Sequence, residues 1–163
     1  MAIETVRAFF AQRGMADRIL ESEQSSATVA LAAQAFGTEE RRIAKSLSFL
    51  LGEKAILVVA AGDAKVSNQK FRAQFNAKAK MLSPQQVHDM VGHDVGGVCP
   101  FAIHDGVDVY LDTSLRRFTT VFPACGSSNS AIGLTIAELE ALSGYTEWVD
   151  VCKNWQAEGE TTA

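Results

Sequence analysis

Lys45 is the first residue whose type does not suit its place. Ile43, Leu47, Phe49 and Leu51 share one face of a stretch that alternates every two residues, with Ala44, Ser46 and Ser48 on the other, and Lys45 falls on the apolar side. Lysine is almost never buried without a partner, and burial lowers its pKa. Pointing inward, it can meet an anionic ligand or a developing oxyanion; at a strand's start, it can also snorkel out to solvent. A second group is the loop at 92–101, Gly-His-Asp-Val-Gly-Gly-Val-Cys-Pro-Phe. Paired glycines bare main-chain amides and admit a close neighbour, and Pro100 fixes the exit. Such a loop can cradle a carbonyl or a phosphate, or it can be a tight turn and no more. It matches neither GxGxxG nor the Walker A pattern. The third group is Cys125-Gly126-Ser127-Ser128-Asn129, small polar residues suited to donating hydrogen bonds and equally common in turns.

Cys99 offers a further chemistry, a thiol nucleophile with His93 or His104 as base, although free cysteine is most often a packed apolar group. Cys99, Cys125 and Cys152 form no CxxC or CxxH pair, so neither a disulfide framework nor a zinc site is expected, and no cofactor is called for.

The elements that must carry these residues follow from periodicity. Ile3, Val6, Phe9 and Phe10 predict an amphipathic helix ended by Gly14. A short strand is expected near 18–23, then a helix over 28–36 with Gly37 as its terminator and Thr38 capping a further turn. Strands at 43–51 and 55–61, joined at Gly52-Glu53, form a hairpin. A helix is expected at 68–75 and a short strand at 78–82. A Ser83-Pro84 start then opens a helix to Val91. Strands at 107–111, 119–122 and 131–134 precede a helix opened by the Thr135/Glu138 capping box, and 147–151 is a last strand. Tight turns between strands favour an α+β fold with a mixed or antiparallel, barrel-like central sheet flanked by helices. The 163 residues suit one domain over 1–155, with a polar tail at 156–163. A 47% hydrophobic and 21% charged composition is that of an ordinary globular chain, and no apolar run is long enough to span a membrane. The N-terminus lacks the pattern of a secretory signal, so a cytoplasmic protein is expected.

Charge is unevenly placed. Residues 64–88 hold Lys65, Lys70, Arg72, Lys78 and Lys80 and no acid, so against a total of −4 the remainder of the chain carries −9. A basic segment on an acidic body fits a phosphate backbone landing on one face, and also fits a solvated helix face.

Lys45-Ser46-Leu47, Ala61-Gly62-Asp63, the 92–101 loop and Gly126-Ser127, in this order, resemble the YbaK/prolyl-tRNA-synthetase-associated domain family, over about 28–142. The resemblance implies the fold expected above and hydrolysis of the ester joining an amino acid to the terminal adenosine of tRNA, without metal or organic cofactor. The implied catalytic set is Lys45 with Gly96, Gly97, Val98 and Pro100. Thr28, Asp63, Cys99, Phe101, Gly126, Ser127 and Asn129 are implied on the substrate side, and Lys65 to Lys80 at the acceptor stem. Mischarged tRNA, and an aminoacyl-tRNA synthetase beside it, are the implied partners of a monomer or homodimer. Ala131 stands where relatives acting on cysteinyl-tRNA carry an acid, and Ala102 where glycine is frequent; both bear on which amino acid is removed. The rival readings are a binding module on the same fold that recognises a tRNA end, a nucleotide or a protein, and a hydrolase that uses Cys99.

Overall fold

A computed structural model describes residues 2–155; the tail expected at 156–163 lies outside the described residues. Its centre is the hairpin of β2 (Ile43–Leu51) and β3 (Lys54–Ala61), in antiparallel register from Ala44↔Ala61 to Leu51↔Lys54. Gly52 takes the positive φ, 65°, that the two-residue connection needs. From Ala55 to Ala61 every β3 side chain is at most 3% exposed. That continuous apolar run belongs to a strand covered on both faces.

The hairpin is extended on each side. Past β3 lie β5 (Asp108–Asp112) and β9 (Glu147–Val149), both parallel additions. Past β2 lie β6 (Thr120–Pro123), parallel to β2, and β8 (Leu134–Thr135), antiparallel to β6. The order β8-β6-β2-β3-β5-β9 is a mixed sheet curled into a half-barrel, with its two end strands unpaired to one another. Two small pairs sit beside it: β1 (Ile19–Glu21) with β7 (Ser130–Ile132), and β4 (Lys65–Val66) with β10 (Cys152–Lys153).

Helices cover this sheet where their apolar stripes predict. On α1 (Ala2–Ala11), Val6 and Phe10 are fully buried, and the Phe9 and Phe10 rings pack on Phe101. α2 (Val29–Phe36) starts at Thr28, whose hydroxyl accepts from the Leu31 amide, and stops at left-handed Gly37. α3 (Asn68–Phe75) is capped by Ser67 and stacks Phe71 on Phe49. α4 (Pro84–Gln86) has a complete Ser83/Gln86 capping box and widens into a π-turn, Val87–Val91, ended by Gly92. α5 (Ile136–Ser143) opens with the Thr135/Glu138 box. Among the described residues no helix is long and apolar enough to cross a membrane.

Four local expectations are corrected. Thr38 caps nothing: its amide closes α2 by donating to Ala33 O, and the following 3-10 turn starts after Glu39. The segment at 78–82 is one bridge, Phe49↔Met81, rather than a strand. The strand expected at 131–134 divides at Gly133, where a Cβ would stand 3.1 Å from the Phe122 ring, into β7 and β8 in different sheets. The last strand ends at Val149, because the Val151 amide turns to donate to buried Asp112, and the chain then pairs again as β10.

Candidate functional site

β6 stays beside β2 only at Ile43 and Ala44. Beyond that point the sheet splits, and a cavity of about 370 Å³ opens along β2. Its walls are Ile43 to Ser48, the start of α2 with Thr28 and Val29, the glycine loop with Val95, Gly96 and Val98, and the strand ends at Ala124, Ser130 and Ala131. Lys45 is the sole ionisable residue in that wall among the described residues; the rest are apolar, glycine or hydroxyl-bearing.

Lys45 is half-buried, and its ammonium donates to Ala64 O and, at 3.3 Å, to Gly62 O at the β3–β4 turn. Desolvation lowers its pKa below the ordinary lysine value. Asp63, in the same turn, does not line the cavity. Its carboxylate is held bidentately by Arg117, at 3.0 and 2.5 Å, which pins the turn that carries Lys45's two acceptors.

The two glycine segments form one unit. Gly97 packs so closely on the other segment that a Cβ there would lie 2.6 Å from Ser127 N and 2.7 Å from Gly126 C. The Gly126 amide donates to Gly97 O at 3.0 Å, and the Gly97 amide to Asp94 O at 3.0 Å. At Gly96, φ 97°, a Cβ would lie 3.2 Å from the Ala27 Cβ and 3.4 Å from the Ser128 Cβ. Ser26 N–H donates to Ser128 O at 2.5 Å, so the approach to α2 is stitched to the same unit.

The remaining expected residues are more dispersed. Gly126 and Ser127 face a neighbouring cavity of about 590 Å³, shared with Ile3, His88, Asp94 and Gly97. Ser127 Oγ donates to Asn129 Oδ1 at 2.8 Å, and Asn129 Nδ2 to Ser22 O at 3.0 Å, so both side chains brace their turn. Cys99 and Phe101 are fully buried, and neither lines either cavity; Phe101 is a core ring on α1. Pro100 is likewise buried and shapes the loop from below. His93 lies 3.5 Å from the Cys99 sulfur, but burial pushes that thiol up to about 12, and it donates to the Phe101 carbonyl at 3.8 Å. A nucleophilic Cys99 thus has neither access nor thiolate.

Of the basic segment, Lys65, Arg72, Lys78 and Lys80 are exposed, and none lines a cavity. Lys70 is tied to Asp150 at 3.1 Å and to Cys152 O at 3.0 Å. Lys80 directly precedes Met81, which does line the Lys45 cavity. The sequence reading missed Val29, Val87, Ala124 and Ser46. Of these four, Ser46 alone carried a signal, as a polar residue next to Lys45 in a strand whose remaining polar residue, Ser48, also lines the cavity.

Comparison with known proteins places the fold in a family. The aminoacyl-tRNA editing domain model matches residues 23–142. The uncharacterised protein YwhH of Bacillus subtilis (strain 168) is 53% identical over 157 residues, covering 96% of this chain and 100% of the relative. A solved structure described as a candidate trans-editing enzyme for prolyl tRNA synthetase superposes with a TM-score of 0.83 at 27% identity, over 93% of this chain and 97% of that one. The fold is shared too with the hypothetical protein APE2540, at TM-score 0.75 and 23% identity, over 88% and 99% of the two chains. The matched span runs from the approach to α2 to the end of α5 and takes in Lys45 and both glycine segments, and the chain therefore belongs to the aminoacyl-tRNA editing domain family.

Proposed function

We propose that the protein is a trans-acting aminoacyl-tRNA deacylase that hydrolyses the ester of mischarged tRNA. The observation that carries this reading is the single cation, Lys45, in the wall of an otherwise uncharged cavity bounded by the tight Gly96-Gly97 turn. An ester is already activated, so the protein has mainly to orient water and to stabilise the tetrahedral oxyanion. Lys45 supplies the field for the ester region or the terminal phosphate, and the main chain of Gly96 and Val98 orients the carbonyl and the water. In this reading the ribose hydroxyl beside the ester carries the proton, so no Ser–His–Asp set is required. The uncharged wall fits a small, uncharged aminoacyl side chain. The reading also places the protein in the cytoplasm, beside or apart from a synthetase.

The test is release of amino acid from tRNAs charged with Ala, Ser, Cys and Thr. Wild type is expected to discharge one or two of them, and Lys45→Ala to lose about 100-fold or more with an unchanged Tm, the size of effect expected for removing one oxyanion-stabilising group. Full activity in Lys45→Ala refutes this site. A folded wild type that binds charged tRNA and discharges none of the panel points to a binding module instead.

A further inference from the structure

The split in the sheet leaves one residue of β2 with no paired strand on its outer edge. On the edge facing away from β3, β6 covers Ile43 and Ala44. Farther along the same edge the 80–82 segment takes over: Leu82 N–H donates to Ser48 O at 3.1 Å, and Leu50 N–H to Lys80 O at 2.8 Å. In an extended strand the N–H and C=O of alternate residues point to one edge. Ala44, Ser46, Ser48 and Leu50 therefore share this edge, and Ser46 falls in the gap, registered with neither β6 nor the 80–82 segment. Ser46 belongs to the cavity wall together with Gly96 and Val98, and its buried hydroxyl has no hydrogen-bond partner. A strand edge left open inside a concave site is poised to receive a main-chain-like ligand.

We propose that the Ser46 main chain docks the aminoacyl group itself. Two residues in a hydrogen-bonded antiparallel pair exchange both of their N–H···O bonds, and an aminoacyl ester presents the same pair of groups as one residue. The Ser46 C=O accepts from the α-ammonium, and the Ser46 N–H donates to the ester carbonyl oxygen. When water adds, its oxygen bonds to the carbonyl carbon and the carbonyl π pair moves onto the oxygen that the Ser46 N–H holds. Collapse re-forms the carbonyl and expels the ribose oxygen, which leaves with a proton from the added water. This contact reads what all aminoacyl groups have in common and leaves the choice among side chains to the surrounding wall. It rests on the deacylase reading.

The experiment is a titration of 15N-labelled wild-type protein with 3′-(L-alanylamino)-3′-deoxyadenosine, whose amide cannot be hydrolysed as the ester can, and with its N-acetyl form. The Ser46 amide is expected to move downfield together with Gly96 or Val98, and N-acetylation to weaken binding about tenfold or more. Replacing Ser46 with its α-hydroxy acid analogue by nonsense suppression removes that N–H, keeps every side chain, and otherwise weakens only the Lys45 carbonyl as an acceptor toward β3. It is expected to lower kcat about 100-fold with KM within threefold. If Gly96 and Val98 respond while Ser46 is silent, or the α-hydroxy variant turns over like wild type, the docking is wrong and the deacylase reading stands. If no cavity amide responds and no charged tRNA is discharged, both fall.

Discussion

The ammonium of Lys45 sits between two main-chain carbonyls, and burial has already lowered its pKa. A lysine with a lowered pKa loses its proton at a lower pH than an exposed one, so the charge on which the proposed mechanism relies disappears as pH rises. The rate of enzymatic discharge, corrected for spontaneous ester hydrolysis, should therefore fall on the alkaline side at a pH below the ordinary lysine value of 10.5. Lys45→Arg keeps its charge throughout this range, so any residual activity should lack that limb; an identical limb in the variant assigns it elsewhere. The cysteines make the opposite case. All three are fully buried, with thiols raised by burial, Cys99 and Cys152 to about 12. None should react quickly with a disulfide reagent in the native state, and the kinetics of labelling should follow unfolding. A fast thiol in the folded protein would reopen the cysteine mechanism. At this scale Lys45 was legible from alternation alone. Phe101 and Cys99 were not, because a residue beside a glycine loop looks the same whether its side chain turns into the cavity or into the core.

The glycine segments act as paired elements, so substitutions in them should act at the seam. Gly97→Ala places a methyl against Ser127 N and Gly126 C, main-chain atoms that cannot swing aside. It is expected to destabilise by about 2–3 kcal/mol, an overpacking cost, and to lose discharge activity even where the protein stays folded. Calorimetry and the charged-tRNA assay separate the two effects. At the far end of the sheet, Glu138 closes the α5 capping box and accepts from Arg18 at 2.6 and 2.9 Å, which holds its carboxyl at about 2. A carboxyl lowered from 4.5 stabilises the fold above that value, and the contribution is lost as pH falls through about 2. The pair is well exposed, 42% and 33% at its side chains. Solvent screening therefore reduces the expected loss in Glu138→Gln to about 0.5–1 kcal/mol at neutral pH. Urea titrations should find that loss at pH 7 and a smaller one near pH 3. Capping residues and strand alternation made most elements readable in advance. The split at Gly133 and the turn after Val149 were not, since their causes, the Phe122 ring and the Asp112 carboxylate, come from other parts of the chain.

Over the whole molecule, the acidic body and the acid-free segment from 64 to 88 give a charged ligand a preferred approach. Lys78 and Lys80 are exposed and lead to Met81 at the Lys45 cavity. Reversing both to Glu should raise KM for charged tRNA about tenfold at physiological salt and leave kcat unchanged. It should also flatten the fall of kcat/KM with salt, as expected when phosphate contacts are lost. A KM unmoved by the double reversal would put the acceptor stem on another face. The hairpin and the class of sheet could be read from the chain, but the strand order could not: periodicity does not say which strands become neighbours, and the cavity exists only because β6 leaves β2 after two residues. The unbroken burial of β3 has a practical consequence. Its amides, at the centre of six strands, should exchange with deuterium only when the whole molecule opens, while those of the glycine segments and of Ser46 exchange through local fluctuations. A deuterium-exchange record would thus carry its own internal clock. Protection that a bound aminoacyl analogue adds at the cavity can be read against the β3 rate, separating occupancy of the site from a general tightening of the fold.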